Sequence, residues 1–292
     1  MDYGLCLPNF TARASREMID AAVETAVDLG WSTVWTTDHV LVGTGDAEAD
    51  YARNFDAIAT LAYVAGRDAS LRLGTSVIVV PQRNAVVVAK ELATIDALSG
   101  GRLIAGVGVG WDRHEFGNLG MADRFPVRGA YLDETIALWR HLWSGSREPF
   151  EGRFHALDDF AFDPLPDQRE RLPILVGGRS APALRRAGGL GDGYHASQAS
   201  PAAFAERMPL IRAASAAAGR PIPALSARVN VRLDEDDGPG YALRRGVAGA
   251  AADIRAFADI GLAHLAFHPQ GRDPEAFVRA CRRLAEEVLP LV

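Results

Sequence analysis

Short runs of apolar, β-branched residues alternate along the chain with alanine-rich segments in which apolar residues recur at helical spacing. A strand-like run at residues 3–7 is followed by a segment that places Met18, Ile19 and Ala22 on one face of a helix. Ser15 stands just before that segment and is a typical N-cap residue. This alternation of strands and helices predicts a parallel α/β fold.

The alternation continues until eight strands have been counted, each followed by a helical segment. The predicted strands cover residues 3–7, 33–37, 71–80, 103–109, 174–176, 193–197, 225–233 and 263–268. The clearest later helices cover residues 55–67, 85–98, 128–143 and 274–288. Eight parallel strands close a (β/α)₈ TIM barrel, so we expect a single domain over residues 1–292. Residues 144–172 are rich in Pro, Asp and Phe and predict an insertion with a hairpin between strands four and five.

Charge and cysteine content argue against several classes of protein. The formal net charge of −6 argues against a nucleic-acid partner, and two cysteines indicate neither a disulfide framework nor a zinc cluster. His264 and His268 fall at opposite ends of one strand, so we expect no metal site. The absence of a secretion signal and of an apolar run of membrane-spanning length predicts a cytoplasmic protein. Lys90 is the only lysine, leaving 31 − 1 = 30 arginines, a composition typical of GC-rich genomes.

In barrels of this kind the active site lies at the carboxyl ends of the strands. The polar or glycine-rich residues predicted there are Pro8, Asn9, Asp38, His39, residues 81–84, 106–111 and 177–180, His195, Ser197 and His268. Asp38 is the only acidic residue placed securely at these ends. A barrel glycosidase needs two facing carboxylates, so that class of enzyme is disfavoured.

Five of these motifs, in this order on these strands, resemble the bacterial luciferase-like monooxygenase family. They are Thr37-Asp38-His39, residues 74–77 leading to Pro81, residues 101–111, residues 173–178, and Gly191-Asp192-Gly193. The resemblance covers essentially the whole chain. It implies an oxidoreductase that binds a flavin or the deazaflavin coenzyme F420 in a TIM barrel.

The resemblance implies that Asp38 and His39 lie at the cofactor, with Asp38 binding it and His39 as the catalytic proton partner. A neutral histidine can donate a hydrogen bond or exchange a proton near neutral pH. The alternative is that Asp38 caps the following loop and His39 fills a polar niche. Ser76-Val77, by the same resemblance, is a bulge with a non-prolyl cis peptide bond behind the cofactor ring. The alternative there is an ordinary strand serine.

Two glycine-rich segments are assigned to the cofactor. Residues 106–111 lack the third glycine of a dinucleotide fingerprint, so Gly108 and Gly110 are expected to let the backbone approach a flat ring. Gly177-Gly178-Arg179-Ser180 precedes a predicted helix, where Ser180 can act as N-cap. Backbone N–H groups and the positive end of the helix then favour a phosphate, with Arg179 adding charge.

The F420 branch of the family is favoured by resemblance, through the arginine-rich composition and the run that ends at Trp111. It implies hydride transfer to or from a small organic substrate. Related F420-dependent sugar-phosphate dehydrogenases carry an acidic residue where Trp111 stands, which argues against a sugar phosphate here. Two alternatives remain open: an FMN-dependent monooxygenase acting with molecular oxygen, and a non-catalytic cofactor carrier. We expect no nucleic-acid or membrane partner, and a homodimer as the assembly.

Overall fold

The computed structural model of the protein describes residues 1–45 and 48–292, excluding the side chains of residues 49 and 50. Its strands are β1 (Asp2–Cys6), β2 (Thr33–Thr36), β3 (Arg72–Thr75), β4 (Ile78–Val79), β5 (Leu103–Gly108), β6 (Phe150–Glu151), β7 (Ala156–Leu157), β8 (Ile174–Gly177), β9 (Gly193–Ser197), β10 (Ala224–Val231), β11 (Ala242–Leu243) and β12 (His264–Pro269). Its helices are α1 (Arg16–Asp28), α2 (Glu48–Tyr51), α3 (Ala57–Arg67), α4 (Ala85–Ser99), α5 (Arg113–Asn118), α6 (Arg128–Trp143), α7 (Ala181–Gly189), α8 (Pro201–Ala217), α9 (Gly246–Asp259) and α10 (Pro274–Arg283).

Eight of the strands close a parallel barrel. They follow the order β10-β12-β1-β2-β3-β5-β8-β9, and β9 pairs back onto β10. Short β4 adds to β5 and short β11 adds to β10. Helices pack around the outside, where the main apolar core lies between them and the sheet. The predicted (β/α)₈ TIM barrel is confirmed, and Ser15 caps α1 by accepting from the N–H of Met18 at 3.2 Å.

The third barrel strand differs from the uninterrupted strand predicted at residues 71–80. It is split into β3 and β4, and a 3₁₀ turn follows at Val80–Gln82. The register explains the split: Gly74 pairs with Ile104 and Ile78 with Val107, so four steps on this strand match three on β5. One extra residue in this segment makes a bulge. The peptide bond between Ser76 and Val77 within it is cis, which confirms the predicted geometry.

The segment between β5 and β8 carries the expected hairpin. Strands β6 and β7 pair antiparallel, with Phe150 opposite Leu157. Glu134 of α6 holds the turn, because its carboxylate accepts from the N–H groups of Arg153, Phe154 and His155 at 2.7–2.8 Å. The hairpin is therefore fastened to the outside of the barrel.

Aromatic rings fill part of the barrel lumen. Trp35 stacks on His195 with ring centroids 4.6 Å apart, and its Nε1 donates to Nε2 of His264 at 3.0 Å. Gly74 faces the same indole, and a Cβ at this position would lie 2.3 Å from it. The lumen below the carboxyl end is thus a packed layer that supports whatever lies above it.

In the described part of the chain, no helix is long and apolar enough to cross a membrane. No group of three or more His, Cys, Asp or Glu side chains is arranged to hold a metal ion in that same part.

Candidate active site at the carboxyl end of the barrel

His39 follows β2 and forms a buried pair with Glu115 of α5. The Nδ1 atom of His39 lies 3.0 Å from Oε2 of Glu115, and the exposed fractions of the two side chains are 7% and 1%. Asp112, the N-cap of α5, accepts from the N–H of Gly43 at 3.2 Å. Helix α5 is therefore clasped to the loop after β2 by two carboxylates, and this fixes the imidazole.

The partners of Glu115 determine the state of this pair. Burial alone would raise the pKa of Glu115, but hydrogen bonds from His39, from the N–H of Val40 and from Gln82 lower it to about 2. An ionised carboxylate only accepts hydrogen bonds, so Nδ1 of His39 must carry a hydrogen. Nε2 of His39 makes no hydrogen bond to any residue in the described ranges. It is the nitrogen available to exchange a proton.

Sequence analysis missed Glu115. It stands three residues after Asp112, a spacing typical of a capping box, in which the acidic residue serves only its own helix. That pattern contains no information on His39, which lies 76 residues earlier. The contact exists because β2 and β5 both deliver their loops to the same end of the barrel.

Aromatic side chains surround the His39 ring. Tyr51 lies 4.1 Å from it and Trp111 5.8 Å, centroid to centroid. Phe10 continues the row at 5.7 Å from Tyr51. Trp111 keeps 59% of its surface exposed and is a rim residue. Together these rings form an apolar wall beside the proton-exchanging nitrogen.

Asp38 points away from that wall. Its carboxylate accepts from the N–H of Val79 at 2.9 Å and from Nη2 of Arg83 at 2.6 Å. Arg83 also pairs with Asp56 at 2.7 Å. Burial would lower the pKa of Arg83, but the two carboxylates outweigh it and raise the pKa above its usual range. The geometry favours Asp38 as the residue that ties β2 to β4 after the bulge, rather than a direct ligand of a cofactor.

Ser76 is anchored to the lumen. Its Oγ lies 2.8 Å from Nε2 of His195, whose Nδ1 lies 2.8 Å from Oγ of Ser226. Burial, with the charges of neighbouring groups, lowers the pKa of His195 to about 3, so the ring is neutral. Sequence analysis placed His195 near the end of its strand, whereas it is a fully enclosed lumen residue in the middle of β9. It supports the bulge from below.

The Val77 side chain lies so close to several neighbouring positions that only glycine fits there without a shift. A Cβ on Gly108 would lie 2.6 Å from the Val77 side chain, and one on Gly177 would lie 3.0 Å from it. Gly110, at φ +74°, likewise faces Val79. The expectation that Gly108 and Gly110 admit a flat ring is therefore revised. They admit the bulged strand, and so they act on the site through the position of residues 76–79.

The Gly177-Gly178-Arg179-Ser180 loop leads into α7. Gly178 has φ +119°, and residues 178–180 are exposed. The prediction that Ser180 caps the helix through its side chain is wrong, since its hydroxyl accepts no backbone hydrogen bond. The second residue of α7 is Pro182, which has no N–H, so the N–H of Ala183 is the one that a capping side chain at position 180 can use. Arg179 pairs with no carboxylate within the described ranges.

The loop therefore fits an anionic group. A helix N-terminus with uncapped N–H groups carries partial positive charge, and the side chain of Arg179 adds a full one. A phosphate is the ligand that this donor set suits, and both F420 and FMN carry one. The residues that would hold this phosphate, 178–180, lie exposed on the surface of the protein.

Comparison with known proteins agrees with this geometry. The luciferase-like monooxygenase family model matches residues 1–258. An F420-dependent glucose-6-phosphate dehydrogenase of Amycolatopsis mediterranei is 27% identical, over 94% of this chain and 94% of the relative.

Solved structures share the fold. An F420-dependent secondary alcohol dehydrogenase in complex with an F420-acetone adduct has a TM-score of 0.82 at 19% identity, covering 100% of this chain and 98% of the other. The FMN-bound oxygenating constituent of 3,6-diketocamphane monooxygenase from Pseudomonas putida has a TM-score of 0.79 at 13% identity, over 99% and 98%. Since the family model covers most of the sequence and the barrel agrees, the chain belongs to the luciferase-like monooxygenase family.

Proposed function

We propose that the chain is an oxidoreductase that uses coenzyme F420 for hydride transfer to or from a small organic substrate. The observation that carries this is the His39–Glu115 pair, a fixed and charge-polarised imidazole at the catalytic end of the barrel. His39 follows β2, the neighbour of the bulged strand that the lumen holds in place. The F420-dependent names of relatives that match most of the chain support the choice of cofactor.

In this proposal the residues of the site have separate roles in binding the cofactor, positioning the backbone and moving the proton. The Gly177–Ser180 loop binds the phosphate, and the backbone at Ser76 and Val77 lies against the ring, with Gly108 and Gly110 holding that backbone in position. Asp38 contributes by fixing β4. Bound F420 supplies a hydride acceptor or donor at C5. His39 takes or gives the accompanying proton at Nε2, while Glu115 holds Nδ1–H and stabilises the charged imidazole.

The side chains at the rim of the site indicate what kind of substrate it can bind. Val40, Leu41 and Trp111 are each about half exposed around His39. An apolar rim suits an organic substrate with an uncharged end, and none of these three side chains carries a charge that could pair with a sugar phosphate. We therefore separate this chain from the glucose-6-phosphate dehydrogenases that it matches. Single-domain organisation, a homodimer and a cytoplasmic location stay predictions.

Cofactor titration tests the proposal directly. F420 fluorescence should be quenched by the protein with an affinity in the micromolar range, and FMN should bind more weakly. The measurement uses the purified chain with each oxidised cofactor in turn. Tighter binding of FMN would favour the alternative function, an FMN-dependent monooxygenase, because the same loop and bulge accommodate a flavin. Binding without turnover of any alcohol or carbonyl substrate would favour a cofactor carrier.

Replacing Ser180 by aspartate should weaken F420 binding at least tenfold without unfolding the protein. The new carboxylate stands within a few ångströms of the phosphate, where Coulomb repulsion is about 1–4 kcal/mol. Aspartate is also a good N-cap, so the melting temperature should hold or rise. Ser180→Asn is the matched control, of equal size and uncharged, and should bind nearly as tightly as the parent. Equal affinity of both variants would place the phosphate elsewhere.

A further inference from the structure

Arg228 crosses the barrel lumen. It belongs to β10, yet its Nη1 donates to Oγ1 of Thr37 at 2.7 Å and to the carbonyl of Ser76 at 3.3 Å. Strands β12 and β1 separate β10 from β2 in the barrel wall. The guanidinium therefore lies at the level of the bulge and directly before the Asp38-His39 pair, and it is 4% exposed.

This buried cation has no carboxylate partner. Arg186 and Arg244, the other two fully enclosed arginines of the described chain, pair with Asp133 and Glu235. Among residues 1–45, 48 and 51–292, no carboxylate lies within 4.0 Å of the Arg228 guanidinium. Its Nε is buried without an acceptor, and Nη2 has none among the described residues. Burying a charge without a charged partner is costly, so this guanidinium is suited to an anionic ligand.

The surrounding groups do not supply it. Burial, together with the charge of Arg228 and other neighbours, lowers the pKa values of His195 and His268 to about 3. Burial likewise raises the pKa of the Cys6 thiol to about 12, against the opposing effect of Arg228. These three side chains are neutral at pH 7. Both carboxylate oxygens of Asp38 are bonded to Arg83.

We propose that Arg228 receives the carboxylate of a small organic acid, which is a substrate of this site. A monoanion balances the single uncompensated charge, whereas a phosphate dianion would leave an excess. The guanidinium lies 5.6 Å from the Phe10 ring centroid, and Phe10 begins the row of rings that leads through Tyr51 to His39. An acid held at Arg228 can thus extend along this wall toward the proton-exchanging nitrogen.

This inference deepens the proposed function, since it names the substrate class for the same site. An anionic edge of the cofactor ring is the other source of negative charge that Arg228 could meet. The experiment must separate that source, and it must not depend on F420 turnover.

Carboxylate binding to the cofactor-free protein makes the separation. Acetate and benzoate should raise the melting temperature and bind measurably by calorimetry, at least tenfold more tightly than acetamide and benzamide. The amides have the same shape without the charge. Equal effects of acids and amides on the parent protein would overturn the proposal, whatever the outcome of F420 titration.

Variants assign the effect to this residue. Arg228→Gln should lose the preference for acids, Arg228→Lys should keep part of it, and F420 affinity should stay within about threefold of the parent in both. If Arg228→Gln does not fold, the lysine variant and the parent comparison still decide. An acid preference that survives in Arg228→Gln would place the binding elsewhere. Loss of F420 affinity in Arg228→Gln, with no acid preference in the parent, would assign Arg228 to the cofactor and refute the substrate carboxylate.

Discussion

Replacing His39 by glutamine should lower turnover about 10²–10⁴-fold, the usual contribution of a positioned acid–base group. Glutamine can still donate to Glu115, so the loop after β2 should keep its position. It has no atom that exchanges a proton near neutral pH. F420 affinity should change little, because the phosphate loop and the bulge do not touch this side chain. Stopped-flow measurement of the hydride step, beside cofactor titration, checks both expectations.

Two further variants locate the effect. His114→Gln alters an exposed histidine of the same helix and should leave turnover unchanged. Glu115→Gln should reduce turnover through the imidazole, since it removes the charge that orients Nδ1–H. The fold should tolerate it because Oε1 of Gln82 is buried without a partner and can accept from the new amide. Full activity of His39→Gln would remove His39 from the proton path.

Acidification should destabilise the protein strongly between pH 6.5 and 5. His195 and His268 are buried and His264 is half-buried, and burial is the first cause that lowers their pKa values to about 3, 3 and 4. In the unfolded chain each titrates near 6.5. Below that pH the unfolded state binds more protons, so the free energy of unfolding falls as pH falls until the folded pKa is reached. The slope is about 1.4 kcal/mol per pH unit for each histidine.

Over this window the three histidines together should remove roughly 5 kcal/mol, a large share of the usual stability of a domain. Glu115 does not contribute here, because its lowered pKa costs stability only when the pH falls below its unfolded value of about 4.3. Urea denaturation at pH 7, 6 and 5 measures the slope. His195→Gln should reduce the slope of stability against pH by the contribution of one histidine. His141→Gln, at a half-exposed position, serves as control. A stability that stays constant from pH 7 to 5 would contradict the enclosed, neutral lumen.

The barrel could be predicted because the spacing of apolar residues within each short segment indicates whether it forms a strand or a helix. The bounds of α6 agree to the residue with the predicted 128–143, and seven of the eight predicted strands lie within a few residues of those observed. The remaining predicted strand, at residues 71–80, is largely apolar although it contains Arg72, Thr75 and Ser76, and its hydrophobic periodicity alone showed no break. The position of the bulge came only from family resemblance.

The site was harder because its contacts join distant parts of the chain. Glu115 meets His39 across 76 residues, and Arg228 meets Thr37 across 191. Local sequence shows an acidic residue in a short helix and an arginine in a strand, and neither pattern names its partner. Ser180 does precede α7 as predicted, but the hydrogen bond from a backbone N–H to its hydroxyl is not formed.

The bulge at Ser76-Val77 has a consequence for how the chain can vary. Side chains alternate between the two faces of a strand, and the extra residue reverses the alternation. Leu73 packs outward into the core below the bulge, and Ile78 and Val80 do so above it. Deleting one residue here would turn Ile78 and Val80 toward the lumen and carry the N–H of Val79 away from Asp38. Substitutions leave that alternation intact, so the number of residues in this segment is what has to be preserved.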